Sequence, residues 1–206
     1  MNARGAMEII VGLLGLQSGL IGKTMFVSLV TMAMATSLMS GPLMRKILRL
    51  KKPRRLSDYL GVKGFIAELQ GENRAAAICE LCEAACAGLG LDGNTVTSAV
   101  LSREAQGPTG LGDRIAVPHA RIESLASPVV AVGLSRHGID FDSPDGLPAQ
   151  LVFLILTPQD DDGAQVEILA DIARTFRNEE LRLKAVEVPT YTEFLAMIRT
   201  QSEVGK

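Results

Sequence analysis

The chain has 206 residues, 47% hydrophobic and 4% aromatic, with a formal net charge of −2. That length allows one ordinary domain and a smaller additional piece. Three cysteines are too few for a disulfide framework.

The near-neutral total conceals a split. Residues 1–55 carry nine Lys or Arg and one acid, Glu8, for +8; residues 56–206 carry twelve against twenty-two acids, for −10. Such asymmetry points to two environments for one chain. The acidic part, poor in aromatics, is the opposite of a nucleic-acid surface, so no nucleic-acid partner is expected.

From the N-terminus, Ile9 to Gly22 carries no charge, Lys23 interrupts, and Thr24 to Met44 again carries none. A bilayer core needs about 20 apolar residues in a helix. A single helix from Met7 to Ser40 would run about 50 Å at roughly 1.5 Å per residue, too long for a ~30 Å core. Gly19, Gly22 and Lys23 mark a turn, and Gly41–Pro42 predict the end of the second segment. The expectation is a transmembrane helical hairpin over residues 1–44. A basic juxtamembrane linker follows over residues 45–56. By the positive-inside rule its arginines and lysines face the cytoplasm, next to anionic membrane lipid. A cleaved signal peptide would carry its charge ahead of the apolar core instead of behind it.

Residues 57–206 read as one α/β domain. Pro53 to Leu56 is the expected linker, and Phe65–Leu69 a short strand. Asn73–Gly88 is predicted helical, stopped by Gly88 and Gly90. A second helix spans Thr95–Ala105 with Thr95 as a possible N-cap. Gly107 to Asp113 is a turn-rich loop, and Ile115–Val117 a strand running into Pro118 and His119. Val129–Leu134 and Leu151–Leu156 are β-branched-rich buried strands, with a loop over Gly138 to Pro148 between them. Asp162–Arg177 is an amphipathic helix whose apolar face is read as Val166, Leu169, Ala170, Ala173 and Phe176. Short helices follow over Glu179–Val186 and Thr192–Ile198. Consecutive strands without an intervening helix imply antiparallel pairing. The predicted class is therefore a mixed parallel and antiparallel sheet flanked by helices.

Cys79, Cys82 and Cys86 recur on one face of a helix. A metal site would need a fourth ligand, and no histidine lies nearby in sequence; reduced cysteines packed in the core are the commoner outcome, and no metal or cofactor is expected. Asp160, Asp161 and Asp162 read as cap and first-turn charges of the following helix. His137, in Ser135-Arg-His-Gly138, reads as a solvated turn residue.

His119 is the chemically interesting histidine. Proline fixes the backbone just before it, and the glycines of Thr109-Gly-Leu-Gly-Asp113 let the backbone approach a bulky ligand. Arg121 lies two residues on, and Arg103 ends the preceding helix. Neutral imidazole is nucleophilic near pH 7, and guanidinium pairs bidentately with phosphate oxygens. On residue types alone, a structural histidine at a strand end is the commoner case.

The run Ser102-Arg-Glu-Ala-Gln-Gly-Pro-Thr-Gly-Leu-Gly-Asp-Arg-Ile-Ala-Val-Pro-His-Ala-Arg121 resembles the signature of type-2 EIIA domains. These form the fructose, mannitol and nitrogen-regulatory branch of the bacterial phosphotransferase system. Ile139-Asp-Phe-Asp142, Leu151-Val-Phe-Leu-Ile-Leu-Thr-Pro158 and Leu169-Ala-Asp-Ile-Ala173 resemble later segments of that family, in order. The resemblance covers about residues 56–200. It implies a mixed α/β sandwich and a phosphoryl group carried on His119, delivered by a phosphorylated HPr-like donor. It also implies that Arg103 supports the phosphohistidine, with Thr109 and Gly110 as phosphate-loop candidates beside Arg121. Many members carry a second histidine where this chain has Gln165. Glutamine donates a hydrogen bond to a phosphoryl oxygen but cannot become cationic, which implies slower transfer or a signalling role.

Residues 1–45 separately resemble the last two membrane helices of a monovalent cation/proton antiporter, on Asn2-Ala-Arg-Gly-Ala-Met-Glu8, Gly15-Leu-Gln-Ser-Gly-Leu-Ile21 and Phe26–Ser37. This implies an antiporter subunit as partner, placement at the cell inner membrane and a cytoplasmic C-terminal domain. The remaining transporter helices are absent, so this chain by itself forms no transport path. Three readings stand at this point: a phosphocarrier regulating an antiporter, a component passing phosphate to a sugar-specific EIIB domain, and a non-phosphorylated interaction module.

Overall fold

The computed structural model describes residues 3–50, 55–87 and 89–204. They form two compact units, Met1–Pro53 and Arg54–Lys206.

The first unit pairs α1 (Ala3–Gln17) with α2 (Lys23–Leu50). The chain reverses at Gly19, whose φ of 72° favours glycine. The Leu20 and Ile21 amides donate to the Gly15 carbonyl at 3.0 and 3.2 Å. A Cβ on Gly12 would lie 3.3 Å from the Phe26 ring, so glycine lets the two helices approach closely.

The turn falls where glycines mark it, but the transmembrane expectation is corrected. No helix among the described residues is long and apolar enough to cross a membrane. At its 15 residues α1 is only about 22 Å long, against a ~30 Å hydrocarbon core. The apolar run of α2 is diluted by Lys23, Thr24, Ser28, Thr31 and Thr36; the hydroxyls of Ser28, Thr31 and Thr36 bond carbonyls one turn back at 2.9 to 3.0 Å. Gly41–Pro42 does not end α2, which continues to Leu50. Proline removes one helical donor there without stopping the helix, the exception known for proline-kinked helices. Part of the expected 45–56 linker is thus helical, and residues 51–54, with the first half of the expected Pro53–Leu56 linker, lie outside the described residues.

The second unit begins with α3 (Leu56–Tyr59) and β1 (Leu60–Ile66). Then come α4 (Arg74–Cys86), α5 (Gly93–Ala105), β2 (Gly110–Gly112), β3 (Ile115–Ala116) and β4 (His119–Ile122). The chain finishes with β5 (Val129–Ile139), β6 (Ala149–Pro158), α6 (Asp162–Thr175), α7 (Glu179–Val186) and α8 (Tyr191–Val204).

The sheet runs β1-β5-β6-β3-β2, with β4 also paired to β6. Pairs β1–β5, β3–β6 and β4–β6 are parallel; β5–β6 and β2–β3 are antiparallel. The sheet is therefore mixed and flanked by helices, as anticipated. Its period-2 alternation fills both faces. Val152, Leu154 and Leu156 of β6 meet Ile78, Leu81 and Val100 of α4 and α5. Leu151, Phe153 and Ile155 meet Ile168, Ile172 and Phe194 of α6 and α8. The Phe153 and Phe176 rings pack 5.2 Å apart; burying such a side chain contributes about 1.5–3 kcal/mol.

Several local expectations shift. The first strand lies at Leu60–Ile66, not 65–69, and β2 and β4 were not anticipated. The cap of α5 is Asp92, whose carboxylate accepts from the Asn94 and Thr95 amides and the Thr95 hydroxyl, so Thr95 lies inside the helix. On α6 the buried stripe is Ala164, Ile168, Ile172 and Phe176, while Val166 is 65% exposed. Two stripes offset along the same helix are both apolar, and the packing of β6 chose between them. Asp161 caps α6 through the Ala164 amide at 3.2 Å. Cys82 is buried, and Cys79 and Cys86 are half-buried. Burial pushes the Cys82 thiol up to about 12, the behaviour of a packing residue. Among the described residues no three His, Cys, Asp or Glu side chains gather as a metal site requires.

Candidate functional site

β3 and β4 lie end to end along the same side of β6, separated only by Val117 and Pro118. His119 opens β4 and pairs in register with Ile155. Pro118 donates nothing, but its carbonyl accepts the Ile155 amide at 2.9 Å, so the break in the edge strand stays anchored.

The His119 ring is half-buried, and its Nδ1 lies 2.9 Å from the Val117 carbonyl oxygen. A carbonyl only accepts, so Nδ1 carries the proton and donates. The lone pair is then on Nε2. Burial lowers the pKa of the ring; the Val117 hydrogen bond raises it, the Arg103 charge lowers it further, and Glu104 raises it. The net direction is downward, which favours the neutral, nucleophilic form.

A depression of about 330 Å³ opens over this ring, lined by Ala99, Arg103, His119, Ala120, Arg121 and Gln165. Arg103 comes from the last turn of α5, and its guanidinium also donates to the Gly107 carbonyl at 3.3 Å. Gln165 comes from the first turns of α6. Two helices from opposite faces of the sheet therefore converge on one edge-strand histidine. Ala99, too small to fill the space, was not anticipated; no spacing rule marks an alanine as a lining residue.

Thr109 and Gly110 do not line the depression. Thr109 is buried, and its carbonyl accepts the Val117 amide at 3.0 Å. Gly110 packs against the 141–143 segment: a Cβ there would lie 2.8 Å from the Phe141 carbonyl oxygen. Beyond it, Asp113 and Arg114 hold φ of 54° and 64° in the two-residue link from β2 to β3, the backbone of a tight hairpin turn. The Asp113 amide donates to Asp145 at 2.6 Å, and its carboxylate meets Arg182 at 3.0 Å. His137 lies in β5 and is not among the residues lining the depression.

Residues 58–201 match the family described as "Phosphoenolpyruvate-dependent sugar phosphotransferase system, EIIA 2". The chain belongs to this family of phosphoryl carriers. A fructose-specific EIIA component of Haloferax volcanii is 38% identical over 96 residues, covering 47% of this chain and 62% of that protein. A fructose-specific EIIABC component of Bacillus subtilis is 35% identical over 107 residues, covering 52% of this chain but 17% of that much longer protein. The nitrogen regulatory protein of Escherichia coli is 32% identical over 135 residues, covering 64% of this chain and 83% of its own. Among solved structures, the nitrogen regulatory protein IIA-Ntr of Neisseria meningitidis superposes with a TM-score of 0.65 at 25% identity, over 69% of this chain and 98% of that one. The mannitol IIA protein of E. coli shares the fold at a TM-score of 0.58, 22% identity, 67% of this chain and 97% of that one. The EIIA likeness covers the second unit; no antiporter relationship is shown for residues 1–45.

Proposed function

We propose that this EIIA domain carries a phosphoryl group on Nε2 of His119, received from a phosphorylated HPr-like donor. The observation that carries the reading is the Nδ1 contact with Val117, which leaves Nε2 as the nitrogen with a lone pair, in a depression lined by Arg103 and Arg121. Nε2 attacks phosphorus, and a new N–P bond forms as the donor's N–P bond breaks. The donor phosphoimidazolium leaves as neutral imidazole, and His119 becomes the phosphoimidazolium, its Nδ1–H still donating to the Val117 carbonyl. Arg103 pairs with phosphoryl oxygens as negative charge concentrates. Gln165 donates an amide hydrogen bond from the positively polarised end of α6.

Intact mass after incubation with a phosphorylated HPr-like donor tests this. One added phosphoryl group is expected on the chain and none on His119→Ala; an increment surviving that substitution sinks the assignment.

The onward route follows one of two readings. The sugar route, in which an EIIB domain takes the phosphate, is supported by fructose-specific relatives. The regulatory route, in which the phosphate informs a cation/proton antiporter at the inner membrane, is supported by nitrogen-regulatory relatives and by the exposed apolar side chains of the first unit, Met7, Ile10, Val11, Leu14 and Met32 among them. Phosphate adds up to about −2 of charge, enough to change docking on a partner. Supplying a sugar-specific EIIB domain separates the routes: it drains the phosphate in the first and leaves it in place in the second. Fractionation of the full chain tests the inner-membrane location.

A further inference from the structure

Glu104 is an acid at 6% exposure. A buried carboxylate survives only when its oxygens are occupied, and here both are. One oxygen accepts the Thr109 hydroxyl at 2.6 Å, and the other accepts the Thr109 backbone amide at 3.2 Å. The Arg74 guanidinium stands 3.5 Å away as countercharge. Arg74 is itself fixed. It donates to the Asp140 carbonyl at 3.3 Å, pairs with the Asp142 carboxylate, and lies 5.7 Å from the Phe141 ring centroid. Glu104 thus meets the loop after α5 from a rigid support.

The loop leads directly to the imidazole. The Thr109 carbonyl accepts the Val117 amide at 3.0 Å, and the Val117 carbonyl accepts from His119 Nδ1 at 2.9 Å. A single residue separates the carboxylate's grip from the carbonyl that selects the tautomer. The neighbouring Arg103, on the same last turn of α5, lines the depression, while Glu104 is buried behind it.

We propose that Glu104 is a positioning residue for phosphoryl acceptance: by clamping Thr109 it holds the Val117 carbonyl where it keeps His119 in the Nδ1–H form, with Nε2 free to attack. This rests on the carrier reading of His119. The chemistry is indirect. A shifted Val117 carbonyl lets the proton move to Nε2, and the nucleophile is lost although every lining residue remains.

The test uses the full chain with two substitutions. Glu104→Gln keeps the volume but leaves one acceptor for two donors and sets an amide against Arg74. Thr109→Val keeps the shape and the backbone bond and removes only the hydroxyl. For each, nitrogen NMR of His119 reads the tautomer, and phosphorylation by an HPr-like donor reads kcat and KM. Expected for Glu104→Gln is a kcat reduced by up to about 100-fold, the scale of an ångström-sized misplacement, with KM for the donor unchanged and an Nε2–H population appearing. Thr109→Val moves both readouts the same way by less, and Thr109→Ser restores them.

Either folded variant with wild-type kcat and a pure Nδ1–H ring overturns the proposal. So does a fall in kcat with the tautomer unmoved, which is a structural role alone. If Glu104→Gln does not fold, Thr109→Val decides. A wild-type chain that accepts no phosphoryl group defeats the carrier reading instead, and the tautomer measurement on the unphosphorylated chain still tests Glu104.

Discussion

The Val117 carbonyl oxygen lies 2.9 Å from Nδ1 of His119, two residues on across Pro118. This contact determines which ring nitrogen is chemically available. The backbone is rigid on both sides of it, because the Val117 amide is bonded to Thr109 and the Pro118 carbonyl to the Ile155 amide.

The first prediction concerns pH. Burial leads the causes that lower the His119 pKa beneath its ordinary 6.5. A lowered histidine pKa means the unfolded chain binds the proton more readily. The ring therefore costs no stability above about pH 6.5 and costs progressively more as pH falls towards the folded value. Phosphoryl acceptance should likewise persist to lower pH than free imidazole allows. Proton NMR titration of the ring checks this; a midpoint at or above that of free imidazole contradicts it.

Arg103 is expected to act on the ring and on the phosphoryl group separately. Arg103→Gln removes a charge that lowers the His119 pKa, so the titration midpoint should rise. It also removes a charge-assisted pairing of about 1.5–3 kcal/mol, a loss of about 10- to 100-fold in phosphorylation rate. Rapid-quench kinetics read the second effect. An unchanged rate removes Arg103 from the phosphoryl-transfer step.

Gln165→Ala should slow transfer by about tenfold, the loss of one hydrogen bond to a charged acceptor. Gln165→His should recover the rate mainly at acidic pH, where the new imidazole is cationic. A pH–rate profile of the three chains distinguishes this from packing damage, which would leave the profiles parallel.

Gly110→Ala tests the close approach of the loop to the 141–143 segment. Its Cβ would sit 2.8 Å from a backbone carbonyl and against the Ser143 side chain. Overpacking of this kind costs about 1–3 kcal/mol. Urea unfolding should show that loss, and the rate should fall with it because Thr109 is the adjoining residue. A variant as stable as the parent would show that the segment gives way freely.

Much of the domain was readable because local patterns agree with the fold. The β-branched runs at 129–134 and 151–156 lie within β5 and β6. The helices around Asn73–Gly88 and Glu179–Val186 end within two residues of expectation. The site residues His119, Arg103, Arg121 and Gln165, taken from one motif and one distant helix, come together at a single depression. Other features depend on what meets across the sheet. Val166 and Ile168 are both apolar, and only contact with Phe153 and Ile155 decides which is buried. The four-residue β4, His-Ala-Arg-Ile, alternates polar and apolar, but two periods are too few to mark a strand by themselves, and it forms by pairing along the edge of β6.

By itself, then, the amino-acid order determined the mixed sheet and most helices, because periodicity, glycine and proline act within a few residues of chain; the motif around His119 was legible only through its resemblance to type-2 EIIA domains. Only the tertiary structure decided that the chain reverses at Gly19 while α2 runs on through Gly41–Pro42 to Leu50, that Asp92 and not Thr95 caps α5, and that Glu104 grips Thr109 behind the histidine. Those outcomes rest on distances between segments, and a distance between segments is set by packing, which no local pattern encodes.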